Sequence, residues 1–173
     1  MDTNSTEISK DTAHKRRWET FEIIFGVPFL AALALHWIKP LTVADIFATP
    51  GILLVGIILI IFGLMLIVFA RQELRKHRQP TDPGHPTTQL VTSGVFSISR
   101  NPLYLGGISI LFGIALAFSL PWVIIFILPT LIAGHYILIL PEERYLANIF
   151  AEEYSSYTLS VRRWIGRSQD KAA

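Results

Sequence analysis

Two clusters of polar residues stand beside long apolar runs, and both could do chemistry. The first is Ser99-Arg100-Asn101-Pro102-Leu103-Tyr104-Leu105-Gly106-Gly107. Pro102 suits a first helical turn, where its missing N–H would be unpaired anyway, and the backbone donors that follow stay free at the positive end of the helix. Such a terminus can hold a carboxylate or a phosphate. Arg100 can assist there or snorkel to lipid headgroups, while Gly106 and Gly107 point to tight helix packing. The second cluster is Pro141-Glu142-Glu143-Arg144-Tyr145-Leu146. Pro and two acids are ordinary helix-start signals. Glu142, however, shares a helical face with Leu146 and Ile149, and a carboxylate on that face at a membrane boundary needs a partner, either a ligand or Arg100. Arg162, Arg163 and Trp164 read as an interfacial anchor.

Several other chemistries are absent. The chain has no Cys, which removes disulfides, thiolate metal sites and thiol nucleophiles together. His14, His36, His77, His85 and His135 are scattered, with no pair one helical turn apart, so no metal site is expected. His36 and His135 fall in or at the ends of apolar runs and read as interhelical hydrogen-bonding residues. No phosphate-binding loop, dinucleotide fingerprint or nucleophilic serine elbow occurs. The net charge of +2 does not argue for nucleic acid.

The elements that must position the two clusters are membrane spans. Of the 173 residues, 51% are hydrophobic and 16% charged, with a mean hydropathy of +0.48; that is too little charge for the skin of a soluble domain of this length. No Lys, Arg, Asp or Glu lies between Arg100 and Glu142, about forty residues where one crossing takes roughly twenty. With Leu120-Pro121-Trp122 near its middle, that run reads as a helical hairpin of spans 102–119 and 121–140. Spans at 50–70 and 20–38 precede it. All the Lys and Arg residues except Lys39 then fall before the first span, between the second and third, or after the fourth, so the positive-inside rule places both termini in the cytoplasm.

The expected architecture is therefore all-α: a polytopic membrane protein with about four transmembrane helices, a turn-rich cytoplasmic loop between Arg71 and Arg100, and a C-terminal amphipathic helix. Leu146, Ile149, Phe150, Tyr154 and Tyr157 recur at helical spacing and form that helix's apolar face. Residues 18–165 make one membrane domain, flanked by polar tails at 1–17 and 166–173. Gly-x-x-x-Gly is absent, so that helix-pairing motif cannot be invoked.

Leu90-Val91-Thr92-Ser93-Gly94-Val95-Phe96, followed by Arg100-Asn101-Pro102-Leu103-Tyr104-Leu105-Gly106, resembles the cofactor region of the isoprenylcysteine carboxyl methyltransferases and their phospholipid methyltransferase relatives. Glu142-Glu143, with Leu146, Phe150, Glu153-Tyr154, Tyr157 and Val161, is similar to the C-terminal signature of the same families. Together these motifs cover 81–165, about half the chain. The resemblance implies an integral membrane enzyme that takes a methyl group from S-adenosylmethionine in a cytosol-facing pocket and gives it to a lipid or lipidated acceptor from the bilayer. Carried over by position, the cofactor contacts fall on Gln89, Leu90, Val91, Phe96, Asn101, Pro102, Leu103, Tyr104 and Glu142; beside them, Arg100 and Glu143 are the candidate catalytic residues by their own chemistry.

The chain departs from the prenylcysteine pattern at three positions. Asn101 stands where His follows the motif Arg, Leu138 where an Arg meets the substrate carboxylate, and Ser160 where a basic residue is common. The acceptor therefore stays open among a prenylcysteine carboxylate, a phospholipid amine and another headgroup; for an amine, Glu143 is the candidate base. Two other readings remain, a nicotinamide-dependent sterol-type reductase and a non-catalytic lipid-binding scaffold. Nothing in the sequence speaks to oligomeric state.

Overall fold

Proline punctuates the chain. Pro50, Pro102 and Pro121 each open a helix, giving α2 (Pro50–Lys76), α3 (Pro102–Ala117) and α4 (Pro121–Gly134), because the first turn needs no N–H from its residues and proline's φ is already helical. The computed structural model describes residues 20–41, 49–80 and 87–167, and α1 (Phe21–Ile38) precedes these three helices. A short 3-10 turn at Gly94–Ser97 leads into α3, and α5 (Leu140–Ser160) closes the helical part. The described residues contain no strand; Val161 and Arg167 make one isolated antiparallel bridge. The expected tail at 1–17, and the part of the C-terminal tail from 168 onward, lie outside the described residues.

Pro141 behaves differently from the start signal expected of it. The helix does not begin there: α4 runs into a π-helical turn at His135–Ile139 and on into α5, so that Pro121–Ser160 is one kinked helical rod. A proline inside a helix clashes with the carbonyl four residues back, here that of Ile137, and the widened π turn falls on that residue. Leu138, in the same turn, is wholly buried. Farther along, α5 breaks at Ala151 (φ 35°, ψ −106°), a backbone conformation that L-residues avoid.

Helices α1, α2 and the α4–α5 rod are each long and apolar enough to cross a membrane, whereas α3 is a shorter apolar helix. Its 16 residues rise about 24 Å at 1.5 Å each, short of a typical hydrocarbon core of roughly 30 Å. Apolar side chains face outward on α2, with Leu54, Ile58 and Ile61 more than half exposed, as expected for a lipid-facing surface. Beyond Ala70, α2 continues for six residues, so Arg71, Arg75 and Lys76 sit on a helix rather than in the loop.

Helices α2 and α3 run antiparallel along a seam of glycines. Gly56 faces Gly113 and Gly63 faces Gly106; a Cβ on Gly56 would stand 2.7 Å from both the Gly113 carbonyl oxygen and the Ala117 nitrogen. Small residues let two backbones touch, and van der Waals contact is what holds helices together in lipid. Helix α1 packs on the other side: the Phe21 ring lies where a Cβ on Gly107 would go, and Phe25 does the same at Gly134. Ala32, Ala115, Leu120 and Val123 form the core between α1, α3 and α4. The Trp122 indole N–H donates to the Lys39 carbonyl at 2.7 Å and ties the ends of α1 and α4. His36 makes no hydrogen bond through its buried Nδ1, contrary to the role expected of it, and the rings of His135 and Tyr136 meet at 77° with centroids 5.1 Å apart.

Candidate active site

The end of the bundle where α2 stops and α3 starts is gripped by α5. The apolar positions Leu146, Phe150, Tyr154 and Tyr157 turn inward and pack with Leu90 and Val161, while Ile149 is 45% exposed. Most of the expected amphipathic face thus covers the chain's own loop. Polar contacts fix the register: Tyr157 donates its hydroxyl to the Phe96 carbonyl at 2.6 Å, and the Thr87 N–H donates to the Tyr145 hydroxyl at 3.2 Å.

From the other side, α2 and the residues just past it hold the same loop through two buried polar residues. Ser93 donates to the Glu73 carboxylate at 2.5 Å. The Gln79 carboxamide accepts from the Thr88 N–H and donates to the Thr88 hydroxyl, each at 2.9 Å. Gly94 has φ +57°, and a Cβ there would lie 2.8 Å from Glu73 Cδ, so only glycine fits the turn. Nothing in the sequence marked Glu73 or Gln79, because a charged or amide side chain at the end of an apolar helix usually faces water.

The two polar clusters meet. Tyr104 donates its hydroxyl to Glu142 Oε2 at 2.9 Å, across 38 residues of chain. No ion pair forms at Glu142 among the described residues, and Tyr104 engages only one of its carboxylate oxygens. The Phe21 ring lies 6.2 Å from that of Tyr104, so α1 also borders the site. Arg100 reaches Glu143 Oε1 and the Tyr154 hydroxyl, both at 3.3 Å, while its Nε is buried without a partner.

Arg163 is the residue whose pairing sequence reasoning missed. It grips Glu143 with both arms of its guanidinium, at 2.9 and 2.7 Å. That pairing pushes its pKa further above an already high ordinary value. Its carbonyl accepts from Ser99 and from the Asn101 side chain. The Arg100 N–H donates to the Arg162 carbonyl at 3.2 Å, and the Gly166 N–H to that of Ile98 at 2.8 Å. The turn after α5 is therefore stapled to the segment that starts α3.

The remaining sequence candidates divide. Leu90, Val91 and Pro102 are buried, so the side chains of Leu90 and Val91 serve the core and these residues can offer a ligand mainly their backbone. Gln89 is exposed and Phe96 half-buried. Leu103 is half-buried in the first turn of α3, where Asn101 makes no side-chain cap.

Residues 52–153 match the phospholipid methyltransferase family. The chain belongs to that family. The match covers more than half of the chain, from the first turns of α2 into α5, and so contains both polar clusters and the glycine seam; α1 and the turn bearing Arg163 lie outside it. No curated protein and no solved structure matches the chain. As a phospholipid methyltransferase family member it is a membrane methyltransferase, and three of its helices are long and apolar enough to make it an integral one.

Proposed function

We propose that the protein transfers a methyl group from S-adenosylmethionine to the polar group of an amphiphile that enters from the bilayer, a prenylcysteine carboxylate, a phospholipid amine or another lipid headgroup. The observation that carries this reading is the Tyr104–Glu142 contact, which joins the two motifs at one mouth of the bundle in a member of a methyltransferase family. We place that mouth and both termini in the cytoplasm, with α3 as the fourth and shortest span. Periplasmic or luminal reporting by a C-terminal tag would break that topology.

The donor set fits S-adenosylmethionine. The open oxygen of Glu142 suits its ammonium or ribose hydroxyls. The first turn of α3, from Asn101 through Pro102 and Leu103 to Tyr104, suits its carboxylate. The rings of Phe96 and Tyr104 suit its adenine and sulfonium, and the backbone of Gln89, Leu90 and Val91 can complete the cradle. When bound, the cofactor supplies an electrophilic methyl whose transfer discharges the sulfonium. The chain's own contribution is to orient the two reactants and exclude water. Arg100 and Glu143 stand beside Tyr154, where Arg100 can hold an anionic group. Both Glu143 oxygens are engaged by Arg163, which favours a part for Glu143 as charge partner over one as base.

Calorimetric titration of the detergent-purified protein with S-adenosylmethionine, S-adenosylhomocysteine and NADPH tests the reading. Saturable binding of the first two is expected; binding of NADPH alone would move the assignment to a reductase. Binding of none by folded protein would leave a lipid-binding scaffold.

A further inference from the structure

Two guanidinium groups meet one carboxylate at the mouth of the site, and they share it unequally. Arg163 takes both Glu143 oxygens in a fork, at 2.9 and 2.7 Å. Arg100 reaches only Oε1, through one nitrogen at 3.3 Å. Bidentate pairing is the strongest arrangement open to a carboxylate and a guanidinium, so Arg163 holds Glu143 and Arg100 is left with the remainder. The Arg100 side chain is only 14% exposed, its Nε–H is buried without an acceptor, and its other contact is a neutral hydroxyl at 3.3 Å. A charged donor in that state is unfavourable unless an anion arrives to complete it.

We propose that Arg163 is a positioning residue that keeps Arg100 open as the receptor for an anionic group, a carboxylate or a phosphate, on a ligand of the active site; this rests on the function proposed above. Without Arg163, Glu143 is free to swing its full carboxylate onto Arg100 and close the receptor. Arg163 is suited to the task because its backbone is held as well as its side chain, its carbonyl accepting from Ser99 at 3.3 Å and from Asn101 at 3.5 Å. Those two residues flank Arg100. Arg163 thus sets the position of the segment that carries Arg100 and removes the competitor for its charge. It lies ten residues past the end of the family match.

The anion could be the cofactor's own carboxylate or a charge on the lipid acceptor, and paired probes separate the two. The full chain in detergent is titrated with S-adenosylmethionine and with its decarboxylated analogue, then with mixed micelles carrying phosphatidate or, as the uncharged control, diacylglycerol. Arg163→Gln is expected to weaken the carboxylate- or phosphate-bearing member of one pair about tenfold and leave the member that lacks that group unchanged. Adding Glu143→Gln is expected to recover most of that loss, because the neutral amide no longer competes for Arg100. Arg163→Lys, which keeps the charge but not the fork, falls between. An unchanged affinity for both S-adenosylmethionine and phosphatidate, equal loss for the two members of a pair, or no recovery in the double variant overturns the proposal. If the unsubstituted protein binds phosphatidate but no S-adenosylmethionine, the proposed function fails while the Arg163 effect is still read on phosphatidate.

Discussion

Helix α3 is held in opposite ways along its length. Within the bundle, Gly106 and Gly113 meet Gly63 and Gly56 of α2 backbone to backbone, and the contact depends on the absence of side chains. At its start, the segment 98–104 is held by named polar atoms: Tyr104 on Glu142, Arg100 on Glu143 and Tyr154, and the Arg162 and Arg163 carbonyls on the backbone and side chains before Pro102. A seam of that kind tolerates no added atom and is indifferent to charge, whereas a clasp tolerates volume and fails when one donor or acceptor is lost. With the function proposed above, stability rests on the seam and ligand affinity on the clasp.

The largest effect should come from filling the seam. Gly56→Leu sets side-chain atoms against the Gly113 and Ala117 backbone, which cannot move aside as a side chain could. A loss of about 3 kcal/mol, at the upper end for overpacking, is expected as a lowered thermal midpoint in detergent. Glu142→Gln should do the reverse: the fold melts normally, but calorimetry shows S-adenosylmethionine affinity reduced about tenfold, as for a lost charge-assisted hydrogen bond. Equal melting and affinity losses in both variants would erase the distinction.

Smaller changes sharpen it. Gly94→Ala forces a Cβ toward Glu73 at a positive φ and should cost about 1–2 kcal/mol, read as earlier hydrogen exchange in the loop 87–97 than in α2 and α3. Tyr157→Phe leaves the Phe96 carbonyl without its partner and should cost about 1 kcal/mol, with protection lost around Phe96 first. The smallest effect is expected at Gly26 in α1, where a Cβ would meet nothing within 4 Å. Gly26→Ala should stabilise by about 0.5–1 kcal/mol through helix propensity, and a loss instead would mean that the open side of α1 carries a contact.

The apolar runs that became α1, α2 and the α4–α5 rod were legible in the sequence because a helix that must satisfy its own backbone in lipid needs an unbroken stretch without charges. Two features of the same helices were not. The glycines of the seam recur seven apart, at Gly56 and Gly63 and again at Gly106 and Gly113. That spacing returns a residue to one helical face as surely as a four-residue spacing does, but it yields no motif until the facing helix is known. Pro141 read as a start signal because its local chemistry is the same whether the preceding turn is absent or widened.

The residue types of the site were also legible: Arg100, Tyr104, Glu142 and Glu143 stood out as polar groups beside apolar runs. Which of them pair was decided only by the tertiary structure. Sequence placed Arg100 as a possible partner of Glu142, yet Glu142 took a tyrosine and Arg100 took Glu143. Arg163 looked like one more basic residue after the last helix. Local pattern determines where a charge can be tolerated, and so it determined the spans and the polar mouth. Partner choice depends on ångström distances between segments far apart in the chain, and on which of two guanidiniums can present its fork to one carboxylate, quantities that exist only once the chain has folded.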